Sequence, residues 1–174
     1  MKKRIVITGG PGTGKTLIIN SLKKKGFHCF DEISREIILQ QNIKKGDATP
    51  WNNILEFSKM LLHKRKEQFK NIKENLSFYD RGIPDIIAYL NYKNINNMDF
   101  EINNLTKKLR YDKVFFTPFW GDIYIKDNER IEDFEEAKNI GESIHNTYKN
   151  LNYHPIIVPK SDVFERTNFV INNL

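Results

Sequence analysis

Eight consecutive residues, Gly9-Gly10-Pro11-Gly12-Thr13-Gly14-Lys15-Thr16, combine four glycines with a terminal Lys-Thr pair. The spacing is G-x-x-x-x-G-K-T, and each residue type has a physical task. Residues without a Cβ let successive backbone N–H groups curl around an anion, a lysine reaches further oxygens, and a hydroxyl completes a Mg²⁺ shell. The chemistry is that of a nucleoside triphosphate, read here as ATP with Mg²⁺. Gly10, Gly12, Thr13, Gly14, Lys15 and Thr16 are expected to hold its phosphates, with Lys15 acting on the transferred one.

Three further groups could work beside that loop. Asp80-Arg81-Gly82 offers a carboxylate for the Mg²⁺ shell, shared with Thr16, and a guanidinium for phosphate charge. Glu32 is a candidate base toward an acceptor hydroxyl, and Arg35 a candidate contact for an anionic group on that acceptor; Asp80 and Arg81 are assigned to the substrate as well. Arg130 is a candidate arginine finger that stabilises the transferring phosphoryl group. Arg65 falls on the apolar stripe of a helix, where its head either reaches solvent, the outcome expected, or points toward the acceptor pocket. His28, His63, His145, His154 and Cys29 share no metal-ligand spacing, so no zinc site is assigned.

Positioning these residues requires a particular order of elements. Arg4–Thr8 is a β-branched apolar run closed by the glycines, and Leu17, Ile18 and Leu22 follow at helical spacing. This strand–loop–helix order is the context that gives the glycine motif its meaning. Strands are predicted at Phe27–Phe30, Leu76–Tyr79, Lys113–Thr117 and His154–Val158. Helices are predicted at about Glu32 to Gln41, across Trp51–Asn75, from Pro84, near Glu101–Leu109, from Asp133 and from Asp162. Pro84 suits a first helical turn, while Asp133/Glu136 and Asp162/Glu165 are D-x-x-E start signals. Phe119–Glu132 has no sustained period and is expected to form a lid.

Strands alternating with helices imply right-handed crossovers and a parallel sheet covered on both faces. The expected fold is α/β: a three-layer P-loop NTPase sandwich around a five-stranded parallel sheet, with residues 1–174 as one domain. In such sheets ligands bind beyond the carboxyl ends of the strands. The glycine loop, Asp31–Glu32, Asp80–Arg81, Thr117–Pro118 and Pro159 all follow strands, so they should meet at one edge.

Composition narrows the setting. Hydrophobic residues make up 39% and charged residues 29%, as in folded globular chains rather than disordered ones. The lone cysteine excludes an internal disulfide, and with no secretory pattern before the first strand a cytosolic setting is expected. No apolar run approaches the roughly 20 residues of a membrane span. A net charge of +6 permits polyanionic ligands, but Lys23–Lys25 and His63–Lys66 lie on predicted helices without interleaved aromatics. They are read as solvated helix faces, and nucleic acid is disfavoured as a partner.

The chain resembles the small AAA-labelled predicted ATPases that are similar to thymidylate kinases and ribosylnicotinamide kinases. GGPGTGKT at Gly9–Thr16, E-I-S-R-E-I-I at Glu32–Ile38 and D-R-G-I-P-D-I-I-A-Y at Asp80–Tyr89 carry the resemblance, with a weaker match through Arg130 and E-R-T at Glu165–Thr167. Asp85 stands where thymidylate kinases have a serine, which argues against a thymidylate acceptor. The resemblance implies a nucleoside- or nucleotide-kinase-like fold. The leading functional expectation is a kinase passing the γ-phosphoryl of MgATP to a small nucleoside, nucleotide or related metabolite. The alternative is a nucleotide-dependent switch, an ATPase or GTPase acting on a protein or lipid partner. Neither N-K-x-D nor a D-x-x-G after the third strand is present, which disfavours the familiar small-GTPase form. An AAA+ ring motor is disfavoured, since 174 residues are expected to leave no room after the core for a helical lid domain. The acceptor, the choice between ATP and GTP, and the oligomeric state are not encoded in any motif found.

Overall fold

The computed structural model describes residues 2–72, 74–95, 100–123 and 132–174. Five strands, β1 (Lys3–Gly9), β2 (His28–Phe30), β3 (Leu76–Asp80), β4 (Lys113–Thr117) and β5 (Ile156–Ile157), form one sheet in the order β2-β3-β1-β4-β5, every pair parallel. The helices are α1 (Lys15–Lys24), α2 (Ser34–Lys44), α3 (Ile54–Lys70), α4 (Pro84–Tyr92), α5 (Phe100–Lys108), α6 (Phe134–Asn150) and α7 (Val163–Asn172), and Gly121–Ile123 make a single 3-10 turn. This is the expected α/β fold with a five-stranded parallel sheet.

Strand periodicity assigns the faces. Ile5, Ile7, Phe78 and Phe115 point one way and pack with Ile18, Ile19, Leu22 and Val170 of α1 and α7. Val6, Tyr79, Val114 and Phe116 point the other way and pack with Ala88, Ile140, Ile144 and Tyr148 of α4 and α6. Residues two apart share a face and adjacent ones do not, so the apolar run within each central strand serves two layers. A third cluster joins α2, α3, α4 and α5 through Ile37, Phe57, Leu61, Ile86, Leu90 and Ile102. It builds a wall beyond the strand ends.

Local signals set most boundaries. Pro84 occupies the first turn of α4. Asp133 and Glu136 form the reciprocal capping box of α6, and Asp162 Oδ1 accepts from the Glu165 N–H at 2.8 Å to start α7. Some bounds differ from the sequence reading. Helix α2 starts at Ser34 rather than Glu32, so Glu32 stays in the loop after β2. Helix α3 starts at Ile54 because Asn53 accepts from the Glu56 N–H, and it ends at Lys70. Strand β5 is two residues long because only those pair with β4. Of the expected lid, the described part is Phe119–Ile123 and Glu132; Arg130 lies outside the described residues. No helix among the described residues is long and apolar enough to cross a membrane.

Candidate active site

The register brings the chemical residues together. Ile7 of β1 pairs with Asp80 of β3, Gly9 pairs with Thr117 of β4, and Phe30 of β2 pairs with Tyr79. The glycine loop, Asp31–Glu32 and Asp80–Arg81 therefore leave three neighbouring strands at one edge. Gly9 has φ +147, and a Cβ there would strike the Thr117 carbonyl, so this first turn of the loop is open to glycine alone.

Lys15 is buried and curls back on the loop, donating from Nζ to the Gly10 carbonyl at 2.6 Å. Burial, then the neighbouring Arg81 charge, bring its pKa down to about 7 against the pull of Asp80, Glu32 and Asp85. Thr16 Oγ1 donates to Asp80 Oδ2 at 3.1 Å, so the hydroxyl and carboxylate expected in the Mg²⁺ shell stand side by side. Asp80 Oδ1 is buried without a hydrogen-bond partner. Burial and then the Glu32 charge push the Asp80 carboxyl up to about 6. An orphaned carboxylate oxygen that is costly to ionise, adjacent to a hydroxyl and a phosphate loop, fits a magnesium ion, which uses one or two carboxylates with phosphates and water rather than a protein cage. Accordingly, no cluster of three or more His, Cys, Asp or Glu side chains forms a metal cage among the described residues.

Arg81 is held from four directions. Its N–H donates to the Ile7 carbonyl at 3.0 Å, Nε to Glu32 Oε1 at 2.7 Å, and Nη1 to the Gly9 carbonyl at 3.0 Å and Asp85 Oδ1 at 3.1 Å. Its backbone has φ +71, a left-handed conformation that a side-chain-bearing residue keeps only when its surroundings enforce it. Burial alone would raise Glu32, but Arg81, then Lys15 and Arg65, outweigh it and hold the carboxyl down at about 2. Glu32 is thus a carboxylate at any working pH.

Asp85 anchors this arrangement. It is 4% exposed and accepts from Thr8 Oγ1 at 2.6 Å, Tyr148 OH at 2.7 Å and the Gly82 N–H at 2.9 Å, besides Arg81. The Gly82 carbonyl accepts from Arg65 Nη1. Both peptide groups flanking the turn after Arg81 are therefore pinned by side chains from other elements.

Arg65 corrects an expectation. It is 3% exposed and turns inward from α3 instead of reaching solvent. Nothing local separates the two outcomes: the same stripe position serves a guanidinium that snorkels and one that finds a carbonyl across the cavity. Arg35 lines that cavity too, in the first turn of α2.

One cavity of about 730 Å³ joins these groups. At one end it is bounded by Gly12, Gly14, Lys15 and Thr16, and at the other by Ile38, Trp51, Phe57, Leu61 and Tyr89. Glu32, Arg81 and Arg65 lie along its lining. The size is within the range of small-molecule sites, and the apolar end suits a flat organic ring. Three contributors escaped sequence reasoning. Asp85 was visible only as a departure from serine, Tyr148 only as part of an apolar helix face, and Arg166, which lines the cavity from α7, only within the E-R-T match.

A phosphate loop on β1, a strand-end Asp-Arg on the adjoining β3 and a second compartment under α2 and α3 place the molecule among P-loop proteins with the nucleoside-kinase fold. Deoxyadenosine kinase from M. mycoides with bound dATP superposes with a TM-score of 0.71 at 21% identity, covering 98% of each chain. Thymidylate kinase from Ehrlichia chaffeensis gives 0.61 at 18% identity, covering 99% of this chain and 97% of that one. NadR in complex with NR gives 0.75 at 13% identity, with 98% of this chain spanning 49% of NadR. No curated protein matches the chain by sequence. The family model described as an AAA domain matches residues 4–166, and the chain belongs to that family.

Proposed function

We propose that this protein is a small-molecule kinase that transfers the γ-phosphoryl group of MgATP to a hydroxyl of a nucleoside, a nucleotide or a related metabolite, residues 1–174 working as one domain. The observation that carries this reading is the single cavity, with a phosphate loop at one end, an apolar and aromatic compartment at the other, and the Glu32–Arg81 pair in its wall. A nucleotide switch needs the first end but has no use for the second. The likeness in fold to deoxyadenosine kinase and thymidylate kinase supports it.

In this reading the loop N–H groups and Lys15 hold the β- and γ-phosphates, and Thr16 with Asp80 would hold Mg²⁺. The ion, when bound, neutralises charge on the phosphate oxygens. Arg81, fixed by Glu32 and Asp85, presents its guanidinium beside the migrating phosphoryl group. Glu32 orients the acceptor hydroxyl. As the acceptor oxygen bonds to the γ-phosphorus and the bond to the β–γ bridging oxygen breaks, the hydroxyl proton passes to Glu32. Its low pKa suits a loose transition state, in which the proton leaves late and orientation matters more than base strength. Arg35 faces the acceptor compartment. Arg130 closes over the transferred group from the lid. A cytosolic setting is part of this reading, with Cys29 the one cysteine of the sequence and its thiol free.

Mass spectrometry of protein incubated with MgATP and a pool of nucleosides, nucleoside monophosphates and pyridine ribosides tests the reading. A product heavier by one phosphoryl group is expected, falling by on the order of 10² or more in Lys15→Ala and Arg130→Ala. ATP binding without any such product would overturn the kinase assignment in favour of a switch.

A further inference from the structure

Arg166 sits in the first turns of α7, far in sequence from the phosphate loop yet in contact with it. Its Nη2 donates to the Thr13 carbonyl at 2.8 Å across 153 residues of chain. The guanidinium abuts Gly14, where a Cβ would come within 2.6 Å of Nη1; Gly14, at φ +81, is the residue that caps the start of α1. The side chain is 3% exposed, and Nε is buried with no hydrogen-bond partner. Among the described residues no carboxylate stands within ion-pair distance of it. Burial alone acts on its pKa, lowering it, with no opposing anion.

Every other buried cation at this edge has a built-in counter-charge or lies close to one. Arg81 has Glu32 and Asp85; Lys15 has Asp80, Glu32 and Asp85 nearby; Arg65, bonded to the Gly82 carbonyl, lies in range of the Glu32 charge. A buried guanidinium without one is costly, and a protein keeps it where a ligand brings the missing charge. Arg166 lines the cavity at the phosphate-loop end, together with Gly12, Gly14 and Lys15. Its bond to Thr13 also fixes loop geometry. In a planar trans peptide the C=O and N–H point in opposite directions, so drawing the Thr13 carbonyl onto α7 aims the Gly14 N–H away from α7.

We propose that Arg166 is a positioning residue of the phosphate loop, holding the Thr13–Gly14 peptide in its anion-binding orientation, and that the phosphates of a bound nucleotide supply its counter-charge and thereby lock α7 to the loop. This extends the proposed function in its nucleotide half only. It does not depend on which acceptor is phosphorylated, or on whether any is.

The test is calorimetric binding of ATP, tripolyphosphate and adenosine to wild type, Arg166→Met and Arg166→Lys, with thermal unfolding of each in the presence and absence of ATP. Arg166→Met should weaken ATP and tripolyphosphate by on the order of 10- to 100-fold. Adenosine affinity should stay within about twofold, since adenosine carries no phosphate. Arg166→Lys should fall between the two, restoring charge but not the fork. The free Met variant should melt no lower than wild type, because it loses an uncompensated buried charge, while its ATP-induced stabilisation shrinks. Equal ATP affinity in wild type and Arg166→Met overturns the proposal, and so does a fall in melting temperature of the same size with and without ATP. Wild type that binds neither ATP nor tripolyphosphate overturns the phosphate-loop reading itself, an outcome distinct from both.

Discussion

Replacing Asp85 by asparagine changes one atom of the side chain, and the structure says why the site should not tolerate it. All four neighbours donate to the carboxylate: Thr8 Oγ1 and Arg81 Nη1 to Oδ1, the Gly82 N–H and Tyr148 OH to Oδ2. The two hydroxyls can rotate and accept instead. The guanidinium and the backbone N–H cannot. An amide NH₂ placed at the Oδ1 position meets Arg81, and placed at Oδ2 it meets the Gly82 N–H, so either flip leaves one buried donor facing another. An unsatisfied buried donor costs about 1–3 kcal/mol. Removing one partner of a buried ion pair costs about 3–5 kcal/mol, with the lower end applying because Arg81 keeps Glu32. The two figures describe largely the same loss and are not summed, which places Asp85→Asn at about 3 kcal/mol below wild type, a large part of the 5–15 kcal/mol typical of a whole domain. Urea unfolding of both proteins measures the difference. A loss below about 1 kcal/mol, with an unchanged slope, would refute the four-donor description of this residue.

Two further outcomes concern pH and metal. Lys15 sits at about 7 in the free protein, and bound phosphates should return it toward its ordinary value. Binding then takes up a proton above pH 7, and nucleotide affinity should fall by up to about tenfold per pH unit from there toward pH 10. Calorimetry at pH 8 in buffers of different ionisation enthalpy should register uptake approaching one proton, and none would contradict the buried lysine. Asp80, raised to about 6, disfavours the folded state once ionised, so its destabilising contribution grows as pH rises from about 4 to 6 and is complete above that. Asp80→Asn should therefore stabilise the free protein at pH 7 by on the order of 2 kcal/mol while abolishing the magnesium dependence of nucleotide binding. A variant that melts lower than wild type would show that the carboxylate is compensated after all.

Much of the fold was legible because its signals are local. The glycine loop needs only neighbours in sequence, and Pro84, Asp133/Glu136 and Asp162/Glu165 mark helix starts through bonds spanning three or four residues. Short apolar runs and the strand–helix order were enough to imply a parallel sheet with the glycine loop, Glu32 and Asp80–Arg81 on one edge. The fate of Glu32 was less legible. A helix drawn from Glu32 would have fixed its side chain on α2, whereas the loop lets it reach Arg81 across 49 residues.

The sequence by itself determined the phosphate loop, the order of elements and the edge at which they meet, since each depends on residue type and near-neighbour spacing. Only the tertiary structure decided the partners of the buried charges. Arg65 turned inward to Gly82, Asp85 gathered donors from β1, α6 and its own turn, and Arg166 came to rest on the loop without a counter-ion. Those contacts join segments tens to more than a hundred residues apart. A buried charge is settled by whatever the packed layers bring within about 3 Å of it, and no local pattern carries that information.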